Sequence, residues 1–271
     1  MNQKGFHQLR DLRNQIAVVT GASSGLGEQI AYQLARKGAI VVVCARRIER
    51  LQQVSQRCQA LSGRLSLPLQ VDVSNPEEIE QAVVQVETKL GPIAVLVNDA
   101  GFGAMENFLH FKMSIAEKMF RVNVLGLMYF TQFVGLKMAA RKTGAIVNIA
   151  SIAGKIATPK STVYSATKSA VIGFSNALRL ELKPFGISVL TVNPGPIKTD
   201  FFAIADQTGH YLDHIGWLAL ESDKLAEKIV AAVGTRRREI NTPVVFKWAY
   251  HFYNLFPTAG DFLAGGIFNQ K

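Results

Sequence analysis

Ile16-Ala-Val-Val-Thr20-Gly21-Ala-Ser23-Ser24-Gly25-Leu26-Gly27 is the stretch on which the fold turns. A short apolar, β-rich run enters a turn with three glycines. Behind it, Glu28–Lys37 carries Ile30, Ala31, Leu34 and Ala35 at helical spacing. A strand that feeds a helix through such a turn brings backbone N–H groups and the positive end of a helix to one point, where a phosphate is favoured. Without side chains, Gly21, Gly25 and Gly27 let the backbone approach a pyrophosphate closely. The spacing is Gly-x3-Gly-x-Gly and differs from the Gly-x-Gly-x2-Gly of the general dinucleotide fingerprint. The position of the turn, between strand and helix, is what supports a dinucleotide site; a glycine turn alone would not.

The next strand, Ile40–Ala45, ends at Arg46-Arg47. In dinucleotide folds an acidic residue near this point holds the ribose 2′-hydroxyl, whereas an arginine accommodates a 2′-phosphate. No Asp or Glu occupies the strand end, and Glu49 comes one turn later. Arg46 therefore argues for NADP(H) over NAD(H), against the plainer reading of a surface arginine that opens the next helix.

The alternation continues along the chain. Leu65–Val73 reads as a strand, and Ser74-Asn-Pro-Glu77 as a capping box opening a helix through Leu90. Ile93–Val97 is a buried strand ending in Asn98-Asp99-Ala100-Gly101, and Ser114–Met138 a long helix carrying Asn123. Ala145–Ile149 is a strand ending at Ser151; Ser188–Asn193 is another, ending in Pro194-Gly195-Pro196. Strands alternating with helices predict an α/β fold, a doubly wound parallel sheet with right-handed crossovers. No repeat, low-complexity tract or linker divides the 271 residues, so a single Rossmann-like domain is expected. Gly21, Arg46, Asp72, Asn98, Ser151 and Pro194 all fall at carboxyl ends of the expected strands, the edge where an open α/β sheet holds its ligand crevice.

Composition narrows the function classes. With 48% hydrophobic residues, the chain can bury a sizeable core. The formal net charge is +10, but the basic runs are short and scattered, at Arg46-Arg47, Arg141-Lys142 and Arg236-Arg237-Arg238. Such a field favours anions, yet no aromatic-interleaved basic stripe points to nucleic acid. Cys44 and Cys58 have no metal-ligand spacing and read as reduced thiols. Met1–Gln15 lacks the apolar core of a signal peptide, and no apolar run approaches the ~20 residues that span a bilayer. A cytoplasmic protein is the expectation.

Ser161-Thr-Val-Tyr164-Ser-Ala-Thr-Lys168 opens a helical run to Lys183, closed by Pro184-Phe-Gly186. Residues four apart share a helix face, so Tyr164 and Lys168 project into the same space. A free tyrosine titrates near ~10; a fixed cation beside it favours the phenolate and makes it usable as an acid–base group. By itself the pair is as well explained as two surface residues on one face.

Taken in order, Thr20-Gly21-x3-Gly25-x-Gly27, Asp72, Asn98-Asp99-Ala100-Gly101, Asn123, Ser151, Tyr164-x3-Lys168 and Pro194-Gly195-x-Ile197-x-Thr199 resemble the short-chain dehydrogenase/reductase family. The resemblance runs from about Gln15 to Val233 and includes a spacing of thirteen residues between Ser151 and Tyr164. It implies Tyr164 as the acid/base, and Lys168 as the cation that lowers its pKa and binds the nicotinamide ribose. Ser151 is implied as a donor to the substrate oxygen and Asn123 as the support of a relay water. The loop Gly21, Ser23, Ser24, Gly25, Leu26, Gly27 is implied to hold the pyrophosphate, Asp72 and Val73 to lie beside the adenine, and Asn98 to line the adenosine side. Pro194, Gly195, Ile197 and Thr199 would meet the nicotinamide.

The sequence departs from the family at two places. Asp99 stands where a second Asn is usual, and a small structural effect is expected there. Ser24 stands where many NADP-using members carry a basic residue, so Arg46 must hold the 2′-phosphate nearly alone, with Arg47 assisting. No metal is required.

The implied activity is an NADP(H)-dependent oxidoreductase, a carbonyl reductase or alcohol dehydrogenase acting on a small carbonyl or secondary alcohol. Two alternatives share parts of the pattern. A sugar-nucleotide epimerase or dehydratase also uses Tyr-x3-Lys, but has a different glycine spacing and a longer C-terminal domain. A non-catalytic nucleotide sensor would not need Ser151, Tyr164 and Lys168 together.

Residues 194–222 correspond to the substrate cover, where Phe201, Phe202, Ile204, Tyr211 and Trp217 suggest an apolar substrate, with Met105 and Phe108 on the opposite wall. The aromatic extension, residues 244–271, contains Val244–Phe256. In it Val245, Trp248, Ala249, Phe252, Leu255 and Phe256 form one helical face. Core packing, a subunit contact and weak attachment to a membrane surface compete for it, with core or subunit packing ranked first. A homodimer or homotetramer is expected, pairing the helix near Ser114–Met138 and the Tyr164 helix, where Ala166, Ala170 and Gly173 allow close approach.

Overall fold

Ile16–Thr20 forms strand β1, buried along its whole length. It pairs in parallel with Ile40–Ala45 (β2) on one side and Ile93–Asn98 (β4) on the other. The structure, a computed structural model, describes residues 5–199, 201 and 219–267. Ser66–Gln70 (β3), Gly144–Ile149 (β5), Ile187–Pro194 (β6) and Glu239–Thr242 (β7) complete a seven-stranded parallel sheet in the order β3-β2-β1-β4-β5-β6-β7. The chain winds outward from β1 to β3, then crosses back to β4 and winds the other way. The switch between β1 and β4 opens a crevice at the carboxyl edge.

The inner strands are buried along almost their whole length because both faces of the sheet are covered. Ala17 and Val19 point into one layer, with Gly25–Arg36 (α1), Ile48–Ser62 (α2) and Ser222–Ala232 (α7), through Ile30, Leu34, Leu51 and Ile229. Ile16 and Val18 point into the other, against Pro76–Lys89 (α3), Leu127–Arg141 (α5) and Thr162–Leu182 (α6), through Ile79, Phe130, Val134 and Leu178. Alternate residues of one strand thus serve two cores.

Several boundaries differ from the sequence reading. The long helix expected over Ser114–Met138 is three pieces: Met113–Phe120 (α4), a π-turn at Arg121–Gly126, and α5. This run is long and apolar enough on average to cross a bilayer, contrary to expectation, but half of its apolar window is buried inside the domain. The cap of α3 is Asn75, whose Oδ1 accepts the N–H groups of Glu77 and Glu78. Ser74 instead bonds Asp72. Helix α7 and edge strand β7 had no sequence counterpart. Beyond them, Val245–Leu255 (α8) and Pro257–Ile267 (α9) form a helical pair packed on each other.

Candidate active site

Thr20 ends β1 with its Oγ1 accepting the N–H groups of Asp99 and Ala100, each at 3.1 Å. This pins the turn after β4 against the glycine loop. Gly21 has φ +70°, and a Cβ there would lie 2.8 Å from Ala100 N and Cα. No side chain fits that approach. The first amides of α1 follow at once, and a helix start leaves such N–H groups without intrahelical partners. Gly21, Ser23, Ser24, Gly25 and Leu26 line a cleft of about 960 Å³ along the carboxyl edge of the sheet. Gly27 lies beneath it, its N–H bonded to Asp99.

Both arginines after β2 line the same end of the cleft. Arg47 donates to Ser23 Oγ at 2.9 Å and Ser24 Oγ at 3.0 Å, while Arg46 stands exposed beside it. Arg47, cast by the sequence as an assistant, is the one anchored to the glycine loop. Asp72 and Val73 line the cleft at the end of the next strand, and Asp72 Oδ1 is fixed by Ser74 N–H and O–H.

Asn98 departs from expectation. Its Nδ2 donates to Thr131 Oγ1 at 3.0 Å and Asn148 Oδ1 at 2.9 Å, and Asn148 donates onward to Ser175. The side chain is sunk in a polar chain that crosses from β4 through β5 to α6, because its buried N–H groups must find partners. It therefore does not line the cleft. Gly27, the third residue of α1, also lies off the cleft, packed against Asp99 and the Gly21 carbonyl.

At the other end, Ser151, Tyr164 and Lys168 meet on one stretch of cleft wall. Ser151 Oγ accepts the Ala153 N–H at 3.1 Å, a geometry that leaves its O–H able to donate into the cleft. Lys168 Nζ donates to Ile149 O at 2.9 Å and lies 5.7 Å from the centre of the Tyr164 ring. Burial lowers the Lys168 pKa to about 8, with Asp99 opposing. Burial likewise raises Asp99 to about 7, opposed by Lys168 and by the Gly27 N–H. Asp99, expected to have only a small structural effect, is a titrating neighbour of Lys168 in the wall of the cleft.

Asn123 sits in the π-turn, where the extra residue turns its amide toward the Phe102 backbone. Oδ1 accepts the Phe102 N–H at 2.9 Å, and Nδ2 donates to Phe102 O at 2.8 Å and Thr167 Oγ1 at 3.2 Å. It staples the Gly101–Gly103 segment to α6 and does not reach the cleft surface. Both of its N–H groups are engaged by protein, so a relay water would find only an acceptor there.

Pro194, Gly195, Ile197 and Thr199 form the wall after β6, and Met105, Ile152, Ala153 and Phe201 stand near Tyr164. The Phe201 and Tyr164 rings pack 5.6 Å apart. Phe108 is exposed and does not line the cleft, contrary to expectation, because it lies in a short surface turn. Phe202, Ile204, Tyr211 and Trp217 lie outside the described residues.

The roof comes from α8 and α9, through Phe246, Ala249, Phe252, Tyr253, Gly260 and Leu263. A Cβ on Gly195 would lie 2.7 Å from the Phe246 ring, so the glycine lets α8 settle on the end of β6. Of the stripe Val245, Trp248, Ala249, Phe252, Leu255 and Phe256, ranked first for core or subunit packing, Ala249 and Phe252 line the cleft, while Val245, Trp248, Leu255 and Phe256 are exposed on the chain's own surface. The inward side is the neighbouring stripe Phe246, Ala249 and Tyr253. Among the described residues, no group of three His, Cys, Asp or Glu side chains is placed to hold a metal ion.

A sequence model of the family described as short chain dehydrogenase matches residues 15–208. An uncharacterized oxidoreductase of Staphylococcus saprophyticus is 38% identical over 189 residues, covering 70% of this chain and 81% of that protein. The 11-beta-hydroxysteroid dehydrogenase-like 3 protein of Arabidopsis thaliana is 30% identical over 264 residues, 96% of this chain and 83% of its own length. Among solved structures, a short-chain dehydrogenase from Sphingobium yanoikuyae in complex with NADPH superposes with a TM-score of 0.77 at 27% identity. That match covers 91% of this chain and 96% of the other.

Proposed function

The chain belongs to the short chain dehydrogenase family, and from that premise we propose that it is an NADP(H)-dependent oxidoreductase interconverting an apolar carbonyl compound and its secondary alcohol. The observation that carries the reading is one cleft with Ser151, Tyr164 and Lys168 at one end and Arg46 and Arg47 at the other. The residues fit the cofactor. Gly21 leaves a cradle that a Cβ would fill, α1 points its N-terminus into the cleft, and the guanidinium groups of Arg46 and Arg47, lining the cleft after β2, would meet a 2′-phosphate.

Bound NADPH supplies the hydride. The chain's own residues meet the charge that develops on the carbonyl oxygen, with Ser151 and Tyr164 as two donors. Tyr164 then gives its proton to that oxygen, and in the reverse direction takes it from the alcohol. Lys168, held by Ile149 O, keeps a cation beside the phenol and would also hold the nicotinamide ribose. Phe201, Met105, Phe246 and Leu263 line the remaining space, which suits an apolar substrate.

The reading includes a homo-oligomer formed through α4–α5 and α6. Leu125, Leu136 and Leu180 are exposed on these helices, and Gly173 has open space beside it. Oxidation of NADPH, screened over ketones, steroids, sugars and long-chain 3-oxo compounds, tests the activity. Turnover with apolar ketones and preference for NADPH over NADH are expected. Binding of NADPH without turnover of any carbonyl compound would overturn it in favour of a nucleotide sensor.

A further inference from the structure

Ser151 leads into a single 3-10 turn, Ile152–Gly154, which is held from two sides. From α6, Ser169 Oγ donates to Gly154 O at 2.9 Å. From the other side the tie is Lys155, whose N–H closes the turn on Ile152 O at 2.8 Å. Its Nζ donates to Glu239 Oε2 at 2.6 Å and Asn241 Oδ1 at 3.1 Å, both on β7. The same nitrogen lies 4.9 Å from the centre of the Tyr250 ring on α8. The Lys155 side chain is 8% exposed, a degree of burial that lysines reach only when paired.

Lys155 does not line the cleft, but the elements it joins do. Ile152 and Ala153 come from the turn, and Phe246, Ala249 and Tyr253 from α8, around Tyr250. A buried ion pair contributes little net stability, because desolvation offsets the attraction. What it supplies here is direction: one ammonium bonded to a strand, faced by a ring of the roof, at a fixed reach from the Ser151 turn.

Building on the carbonyl-reductase reading, we propose that Lys155 is a positioning residue that sets the spacing between the Ser151 turn and the α8 roof, and thereby the bulk of substrate the cleft accepts. Lys155→Met keeps the length of the side chain and removes the charge; Lys155→Arg keeps the charge; Tyr250→Leu removes the roof contact and leaves the ion pair. Each variant is assayed with a small and a bulky apolar ketone, by NADPH titration, and by amide hydrogen exchange of the NADPH-free protein. In Lys155→Met, kcat/KM for the bulky ketone should fall about 10- to 100-fold, mainly through KM. The small ketone and NADPH affinity should change little. Exchange should quicken together in Ile152–Gly154 and Val245–Leu255. Lys155→Arg should recover the bulky ketone, and Tyr250→Leu should reproduce its KM rise. Equal losses for both ketones, a loss of NADPH binding, or faster exchange in only one segment would overturn the proposal. Should Lys155→Met not fold, Tyr250→Leu and Lys155→Arg decide by the same readouts. If the unmodified chain reduces neither ketone, the carbonyl-reductase reading falls, while the exchange result still decides whether Lys155 couples turn and roof.

Discussion

In the floor beneath the cleft, which carries Tyr164 and Lys168 at its surface, Thr20, Asn98, Asn148 and Ser175 are buried, and each is bound to a named partner on another element. Across from them, α8 and α9 turn Phe246, Tyr253 and Leu263 inward and leave Trp248 68%, Leu255 73% and Phe262 82% exposed. The floor is held by directional bonds whose loss leaves a buried group unsatisfied. Apolar contact, tolerant of side-chain shape, does most of the work in the roof. Changes in the floor should therefore alter the rate for every substrate, and changes in the roof should alter which substrate is taken.

The largest expected effect is on the floor. Tyr164→Phe removes the transferable proton and keeps the ring that packs on Phe201, so kcat should drop about 10²- to 10⁴-fold. NADPH affinity should stay near that of the parent. Steady-state kinetics and a fluorescence titration check both halves, and a near-normal kcat would break the assignment of chemistry to this wall.

Next come the arginines. Arg46→Ala and Arg47→Ala should each weaken NADPH binding about 10-fold or more, the worth of a hydrogen bond to a charged group, and leave NADH little changed. Arg47→Ala should also loosen the glycine loop through Ser23 and Ser24, so NADH should weaken somewhat more there than in Arg46→Ala. Equal losses for both cofactors in both variants would place the 2′-phosphate elsewhere.

A third prediction turns on pH. The Asp99 pKa is raised by burial from 3.8 to about 7. A raised acid contributes stability at low pH that is lost as pH rises through its folded value. Asp99→Asn should thus be more stable than the parent above pH about 7, with the advantage fading toward pH about 4; melting curves across that range would show it. Parent NADPH affinity should fall in two steps, as Asp99 gains a negative charge and Lys168, lowered to about 8, loses its positive one. In Asp99→Asn one step should remain, shifted below about 8, because the carboxylate that holds the Lys168 proton is gone. Superimposable pH profiles would count against a shared charge at this wall.

The smallest effect belongs to the outer face of the roof. If that face rests on lipid, the chain should bind anionic vesicles weakly, and less so as salt is added. Trp248→Ala with Phe262→Ala should reduce the binding several-fold and leave NADPH affinity alone. Failure to bind at low salt would reassign the face to a contact between subunits.

What the sequence made legible was local and periodic. The β1 strand, its glycine turn and α1 follow from adjacent residues, and the Tyr164–Lys168 face follows from helical spacing. Strand β7 escaped notice because Glu239-Ile-Asn-Thr242 is a short, polar edge strand in which only alternate residues are buried. In α8 the hydrophobic pattern identified the helix but not the covered side, since both Phe246–Tyr253 and Trp248–Leu255 offer apolar stripes, and periodicity does not say which one meets the core. The raised pKa of Asp99 arises from its burial between two packed turns. The partner of Lys155 lies 84 residues away. Neither leaves a trace in spacing.

The π-turn at Arg121–Gly126 has a consequence for how the chain tolerates change. A π-turn holds one residue more than an α-helix would use over the same rise, and each residue of an α-helix rotates the following face by about 100°. Upstream, Ala116 and Met119 pack with Val163 and Tyr164; downstream, Phe130, Val134 and Met138 pack on the sheet. Removing a single residue between the two would straighten the helix and swing one of these sets out of its core. The segment is a joint whose length is fixed by the angle between its two loads, so it should accept substitutions at exposed Leu125 far more readily than any insertion or deletion.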